Sequence, residues 1–238
     1  EDITGADVDQ VVAQFRRLIE VGEEVVGKRL DDAYLSEVVS LSATGSRLWK
    51  QVLKTALQAP APLTFFDGTI LMAPIVVLRG TRTCVEFYEK ALAELKELTA
   101  PAEAAVPDEQ VRIFWDGMPV WGRLRHLSET CRNNQASVVA STYCNSWIFD
   151  QLDQDDPLES MAHAYTQIFI NRGEKTKMMM MKDMIEDYRI DGVVFHDART
   201  CFNNTNSRFG IPQRLQNETG IDTLVIERSG VGGQAGVT

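Results

Sequence analysis

Hydrophobic positions recur at three- and four-residue steps through roughly the first hundred residues, then change to short solid runs and two-residue alternation. Val11, Val12, Phe15, Leu18 and Ile19 form the stripe of an amphipathic helix. Asp7 or Asp9 is placed to cap its start. A second helix is expected after Asp31 and Asp32. A third carries Leu48, Trp49, Val52, Leu53, Ala56 and Leu57, and stops before Pro60. Thr83 and Glu86 have capping-box spacing, with Val85, Tyr88, Leu92 and Leu95 following on one face. Residues 99–108, rich in Ala and Pro, read as a linker.

From Gln110 the period is that of strands alternating with helices. Residues 111–115 read as a strand, followed by the turn Asp116-Gly117-Met118-Pro119 and a helix over 122–131. A second strand spans 137–140. Helices over 157–170 and 176–188 follow, the latter with Met178, Met181, Met184, Ile185 and Tyr188 on its apolar side. The apolar run 192–196 has the composition of a fully buried parallel strand. A helix over 213–219 and a last strand over 223–226 complete the pattern. Such alternation predicts an α/β fold: a helical segment (residues 1–108), then a doubly wound, mostly parallel sheet of the Rossmann or flavodoxin type (residues 109–238). The Gly-rich tail after Glu227 is expected to pack nothing, and the domain to continue past the C-terminal end of this sequence.

A net charge of −10 argues against nucleic acid as a partner, because phosphate contacts need clustered Lys and Arg. No apolar run approaches a membrane span, since residues 69–78 are interrupted by Pro74. With no export signal at the N-terminus the expected compartment is the cytoplasm, where the four cysteines would be reduced thiols or metal ligands. None has CxxC or zinc-type spacing. No P-loop, GxSxG, HExxH or GxGxxG occurs.

In a parallel sheet the C-terminal strand ends share one edge, where ligands bind. Here that edge collects residues 116–119, 141–145, 196–201 and 227–228. Two thiols fall on it, Cys144 and Cys201, while Cys84 and Cys131 sit in helices. A soft-metal or iron–sulfur role fits such a pair, and packing is the competing reading. Asn203 and Asn204 predict a turn after Cys201. His196 is a candidate acid or supporting donor, set against a satisfied strand-end histidine. Tyr143 and Trp147, flanking Asn145, offer the aromatic surface of an apolar ligand pocket, set against core aromatics.

The order and spacing of these stretches resemble the 2-hydroxyacyl-CoA dehydratase and class I benzoyl-CoA reductase family. The similar stretches are the helix at 8–26, Val111-Arg-Ile-Phe-Trp-Asp-Gly-Met-Pro-Val-Trp121, Thr142-Tyr143-Cys144, Tyr188 to Phe195, Cys201, and Gly220 to Glu227. Trp115 and the run from Gly117 to Trp121 look more like the ring-reductase branch.

The resemblance implies an oxygen-sensitive, cytoplasmic, two-subunit enzyme carrying a [4Fe-4S] cluster in each homologous subunit. A separate ATP-hydrolysing activator protein would inject low-potential electrons, with no ATP bound here. The substrate would be an acyl-CoA. Ring reduction of benzoyl-CoA is the first expectation, dehydration of a 2-hydroxyacyl-CoA through a ketyl radical the second, and a non-catalytic CoA-binding or scaffolding module the third. By the same resemblance Cys201 is the expected cluster ligand and Cys144 the second candidate, with Tyr143, Trp147 and His196 near the substrate. The family's preceding α/β domain, with two further cluster cysteines, has no counterpart in this sequence.

Overall fold

A computed structural model describes residues 3–98, 103–198, 201, 205–228 and 236–237. Helix α1 (Gly5–Val26) starts one turn earlier than expected. Thr4 caps it and Asp7 returns a hydrogen bond to the Thr4 amide, a capping box in which Asp7 is the third helical residue. Helix α2 (Asp32–Lys54) is one helix where two were expected. Nothing in it forbids helical backbone, and Gly45 lets neighbours approach closely. A Cβ there would lie 3.3 Å from Ile75 Cδ1 and 3.4 Å from Cys84 Sγ. The apolar run that follows, read above without an element, forms two short helices, α3 (Phe65–Leu71) and α4 (Ala73–Val77). Thr64 and Asp67 box the first, and Pro74 sits in the first turn of the second. Helix α5 (Arg82–Glu97) is capped by Thr81, two residues before the expected Thr83.

The sheet begins with β1 (Val111–Asp116). Helix α6 (Leu124–Asn133), strand β2 (Ala136–Ser141) and the single turn α7 (Thr142–Asn145) follow. Helices α8 (Pro157–Gln167) and α9 (Glu174–Asp187) then lead to β3 (Gly192–Ala198), α10 (Ile211–Thr219) and β4 (Asp222–Arg228). Strand order is β2-β1-β3-β4, all parallel, as the alternating pattern predicted. The pair Gly236–Val237 adds β5, antiparallel against Ile226 and Glu227. The tail expected to pack nothing therefore returns to the sheet edge, where β4 offers unpaired backbone groups. Residues 229–235 and 99–102, on which the rest of the tail and linker readings fall, lie outside the described residues.

Alternation along the strands sends side chains to two faces. Trp115 and Val138 face a core built with Trp49, Val52, Phe65, Phe66 and Tyr88 from the N-terminal helices. Phe65 stacks on Trp115 with centroids 5.3 Å apart. Phe114, Val139, Val193 and Phe195 face the other core, with Met181 and Ile185 of α9 and Leu215 of α10. At the N-terminal end of the sheet the buried Arg112 joins these parts. It donates to Ala56 O at 2.6 Å and to Tyr188 O at 2.7 Å, and pairs with buried Glu109. A buried charge needs such partners, and they fix the end of α2 and the end of α9 on the same strand. No helix among the described residues is long and apolar enough to cross a membrane.

Candidate functional site

The chain steps from β1 outward to β2, then crosses back over β1 to β3. The reversal leaves a crevice between the C-terminal ends of β1 and β3, where side chains can meet a ligand without a covering crossover. Asp116 and Gly117 close β1 there, and His196 to Ala198 close β3. Gly117 turns the chain with φ of 92°, a conformation that favours glycine.

Beyond β2 the chain coils at once into α7. Ser141 Oγ accepts from Cys144 N at 3.1 Å, and this cap turns the Cys144 side chain inward. The thiol is 1% exposed and packs with Trp49, Phe65 and Leu53. Burial pushes its pKa up to about 12, so it stays protonated. Cys144, expected as a second cluster ligand, has its thiol packed within this core. Helix α2 fastens this segment through Trp49 Nε1, which donates to Cys144 O at 3.0 Å. Arg79 donates to Trp147 O at 2.6 Å and lies 4.2 Å over the Phe149 ring. Trp147 packs against the same core, its buried Nε1 without a hydrogen-bond partner among the described residues. Tyr143 is half-buried and meets the half-exposed Trp121 edge-on at 6.1 Å. Burial raises the Tyr143 pKa.

His196 is 6% exposed, and its Nδ1 lies 2.6 Å from Met118 O. A carbonyl can only accept, so Nδ1 carries a proton. Trp115 Nε1 donates to the same carbonyl at 3.2 Å, and the two rings are 6.1 Å apart. His196 thus holds the 116–121 turn from the N-terminal-helix side of the sheet.

On the opposite side Asp116 is fully buried and accepts from Asn206 and Thr142. Burial pushes its pKa up to about 6 against the pull of these donors and of Lys177. Cys201 lies just beyond β3, half-buried, with its amide donating to Ala198 O at 2.9 Å. Asn203 and Asn204, read above as turn formers, lie outside the described residues. Of the residues expected at the site, Cys201, Tyr143 and Trp147 are thus half-buried, while Cys144 and His196 are buried. The sequence placed Asp116 on this edge without a role. Nothing in it singled out Asn206 or Lys177, which are ordinary polar residues until the fold brings them to a buried carboxylate.

Among the described residues no three of His, Cys, Asp and Glu converge as a metal site. A [4Fe-4S] cluster takes four thiolates. The described residues fit one corner of such a site, through Cys201, and would need ligands from outside them.

Comparison with known proteins bears on this edge as a whole. The family described as "2-hydroxyglutaryl-CoA dehydratase, D-component" matches residues 2–237. The (R)-2-hydroxyisocaproyl-CoA dehydratase alpha subunit of Clostridioides difficile is 28% identical, over 93% of this chain and 54% of its own. The lactoyl-CoA dehydratase subunit alpha of Anaerotignum propionicum is 29% identical, over 80% of this chain and 46% of its own. A benzoyl-CoA reductase subunit of Thauera aromatica is 26% identical, over 92% and 54% respectively. The chain spans about half the length of the curated relatives it matches.

Proposed function

The chain belongs to the 2-hydroxyglutaryl-CoA dehydratase D-component family, and from that premise we propose that it acts in a 2-hydroxyacyl-CoA dehydratase. The observation that carries the reading is the match over residues 2–237, together with relatives named as dehydratase alpha subunits. Ring reduction, the first expectation from Trp115 and the Gly117–Trp121 run, yields to dehydration on these names. The reductase subunit remains a relative and supplies the second reading.

In this function Cys201 is one ligand of an iron–sulfur cluster, and the rest come from outside the described residues. The cluster supplies the one-electron chemistry. The residues of this chain place and shield it. Tyr143 and Trp121 pair as an aromatic rim at the same strand-end edge as Cys201, suited to the apolar part of an acyl-CoA. Met118 O, held by His196 and Trp115, fixes the turn that carries Trp121. A homologous second subunit and an ATP-hydrolysing activator are the partners, in keeping with relatives named as subunits.

The test is turnover without oxygen, with partner subunit and activator supplied, on a 2-hydroxyacyl-CoA and on benzoyl-CoA. Loss of one water to give the enoyl-CoA is expected. Reduction of benzoyl-CoA with the hydroxyacyl-CoA untouched would transfer the chain to the second reading. A colourless assembly that binds acyl-CoA and turns over neither would leave a binding module.

A further inference from the structure

We propose that Asp116 is a positioning residue for the Cys201 thiol: through Asn206 its carboxylate holds the Cys201 segment against β1, and Lys177 orients the linking amide. The consequence for function rests on the ligand reading of Cys201, whereas the link itself stands on geometry.

Asp116 is 1% exposed at the end of β1. Asn206 Nδ2 donates to its Oδ1 at 3.1 Å and its Oδ2 at 3.0 Å. Thr142 Oγ1 donates to Oδ1 at 2.9 Å, and because that hydroxyl accepts from Gly117 N at 3.1 Å, its proton is directed at Asp116. Lys177 Nζ donates to Asn206 Oδ1 at 3.1 Å, so the amide can face Asp116 only with its NH2 end. Asn206 and Thr142 both donate to the carboxylate, and neither accepts a proton from it. Lys177 on α9 is the charged group facing it, while His196 on the adjacent strand turns to the other side of the sheet.

The residue just before Asn206 makes the second half of the link. Thr205 Oγ1 lies 2.9 Å from Cys201 O and 3.1 Å from Ala198 O, and the Cys201 amide donates to Ala198 O. Thr205 and Asn206 are both buried, at 7% and 5% exposure. One reaches back to the cysteine and the other reaches across to β1. A polar chain thus runs from Lys177 through Asn206 to Asp116, and Thr205, beside Asn206, ties it to the backbone of Cys201. Satisfied buried networks of this kind specify one arrangement, because breaking one member strands the others.

The experiment is alkylation of Cys201 by iodoacetamide, read by mass spectrometry against Cys131 in the same full chain, without oxygen or added iron. Asp116→Asn and Asn206→Asp should each speed Cys201 labelling at least about fivefold, the ratio that one lost hydrogen bond of ordinary worth gives, with Cys131 unchanged. The double exchange, Asp116→Asn with Asn206→Asp, restores an amide facing a carboxylate and places that carboxylate on Lys177. It should return Cys201 to the wild-type rate. Wild-type labelling in both single variants would overturn the proposal, and so would a double variant as fast as the singles. Should Asp116→Asn fail to fold, Lys177→Met removes only the outer end of the chain and must still speed Cys201 selectively. A wild-type rate there would make Asp116 a folding residue and end the proposal. The readout needs no iron, so a wrong cluster assignment and a wrong link fail separately.

Discussion

Two thiols follow two parallel strands of one sheet, Cys144 three residues after β2 and Cys201 three residues after β3, and the fold treats them oppositely. After β2 the chain enters a helical turn whose cap, Ser141, bonds the Cys144 amide, and the thiol is turned into the core beneath Trp49. After β3 the backbone turns back on its own strand end through Ala198 O, and Cys201 stays half-buried at the edge. The fastenings also come from opposite sides. The α7 segment is held by the N-terminal helices through Trp49 and Arg79, the Cys201 segment by Asp116 and by Lys177 of α9.

That contrast can be broken from the buried side first. Trp49 is fully buried and carries the bond to Cys144 O. Trp49→Ala should cost about 3–5 kcal/mol, as emptied aromatic sites do, measured by denaturant unfolding.

The polar side has a pH signature. Asp116 has its pKa raised from 3.8 to about 6 in the folded protein. A raised folded pKa means the contribution is present below pH 3.8 and is lost as pH rises through about 6, a change of about 3 kcal/mol. Asp116→Asn lacks this loss, so its stability relative to wild type should climb by about that amount between the two limits. A flat difference across this window would show that the donors around Asp116 offset its burial, and a falling one that they outweigh it. Smaller again is Cys144→Ser, which puts a hydroxyl among apolar neighbours and should cost about 1–3 kcal/mol while bound iron is unchanged. Loss of iron in that variant would erase the contrast between the two thiols.

Much of this was legible in the sequence, and the misses have causes. The run from Gly192 to Phe195 read as a buried strand because nothing polar interrupts it, and residues 111–115 read as a strand. The Met178, Met181 and Ile185 stripe read as core from its position on the apolar side of a helix, and all three are buried. Helix joins were harder. Residues 32–54 carry no breaker, yet Gly45 weakened the pattern where close packing on Ile75 and Cys84 required it. The fate of Cys144 was illegible, because Ser141 caps a helix of one turn, too short to leave a periodicity. Asn206 and Lys177 gave no local signal. Their role exists only once residues 90 and 61 positions along the chain from Asp116 meet it across the sheet edge.

The proposal that matters most is that Cys201, rather than Cys144, would meet an iron–sulfur cluster. Its most direct test is iron content and visible absorbance of the assembly purified without oxygen, comparing Cys201→Ser with Cys144→Ser. The Cys201→Ser variant should fold and lose cluster absorbance and iron, while Cys144→Ser should keep both. A folded Cys201→Ser protein with its full iron complement would contradict it.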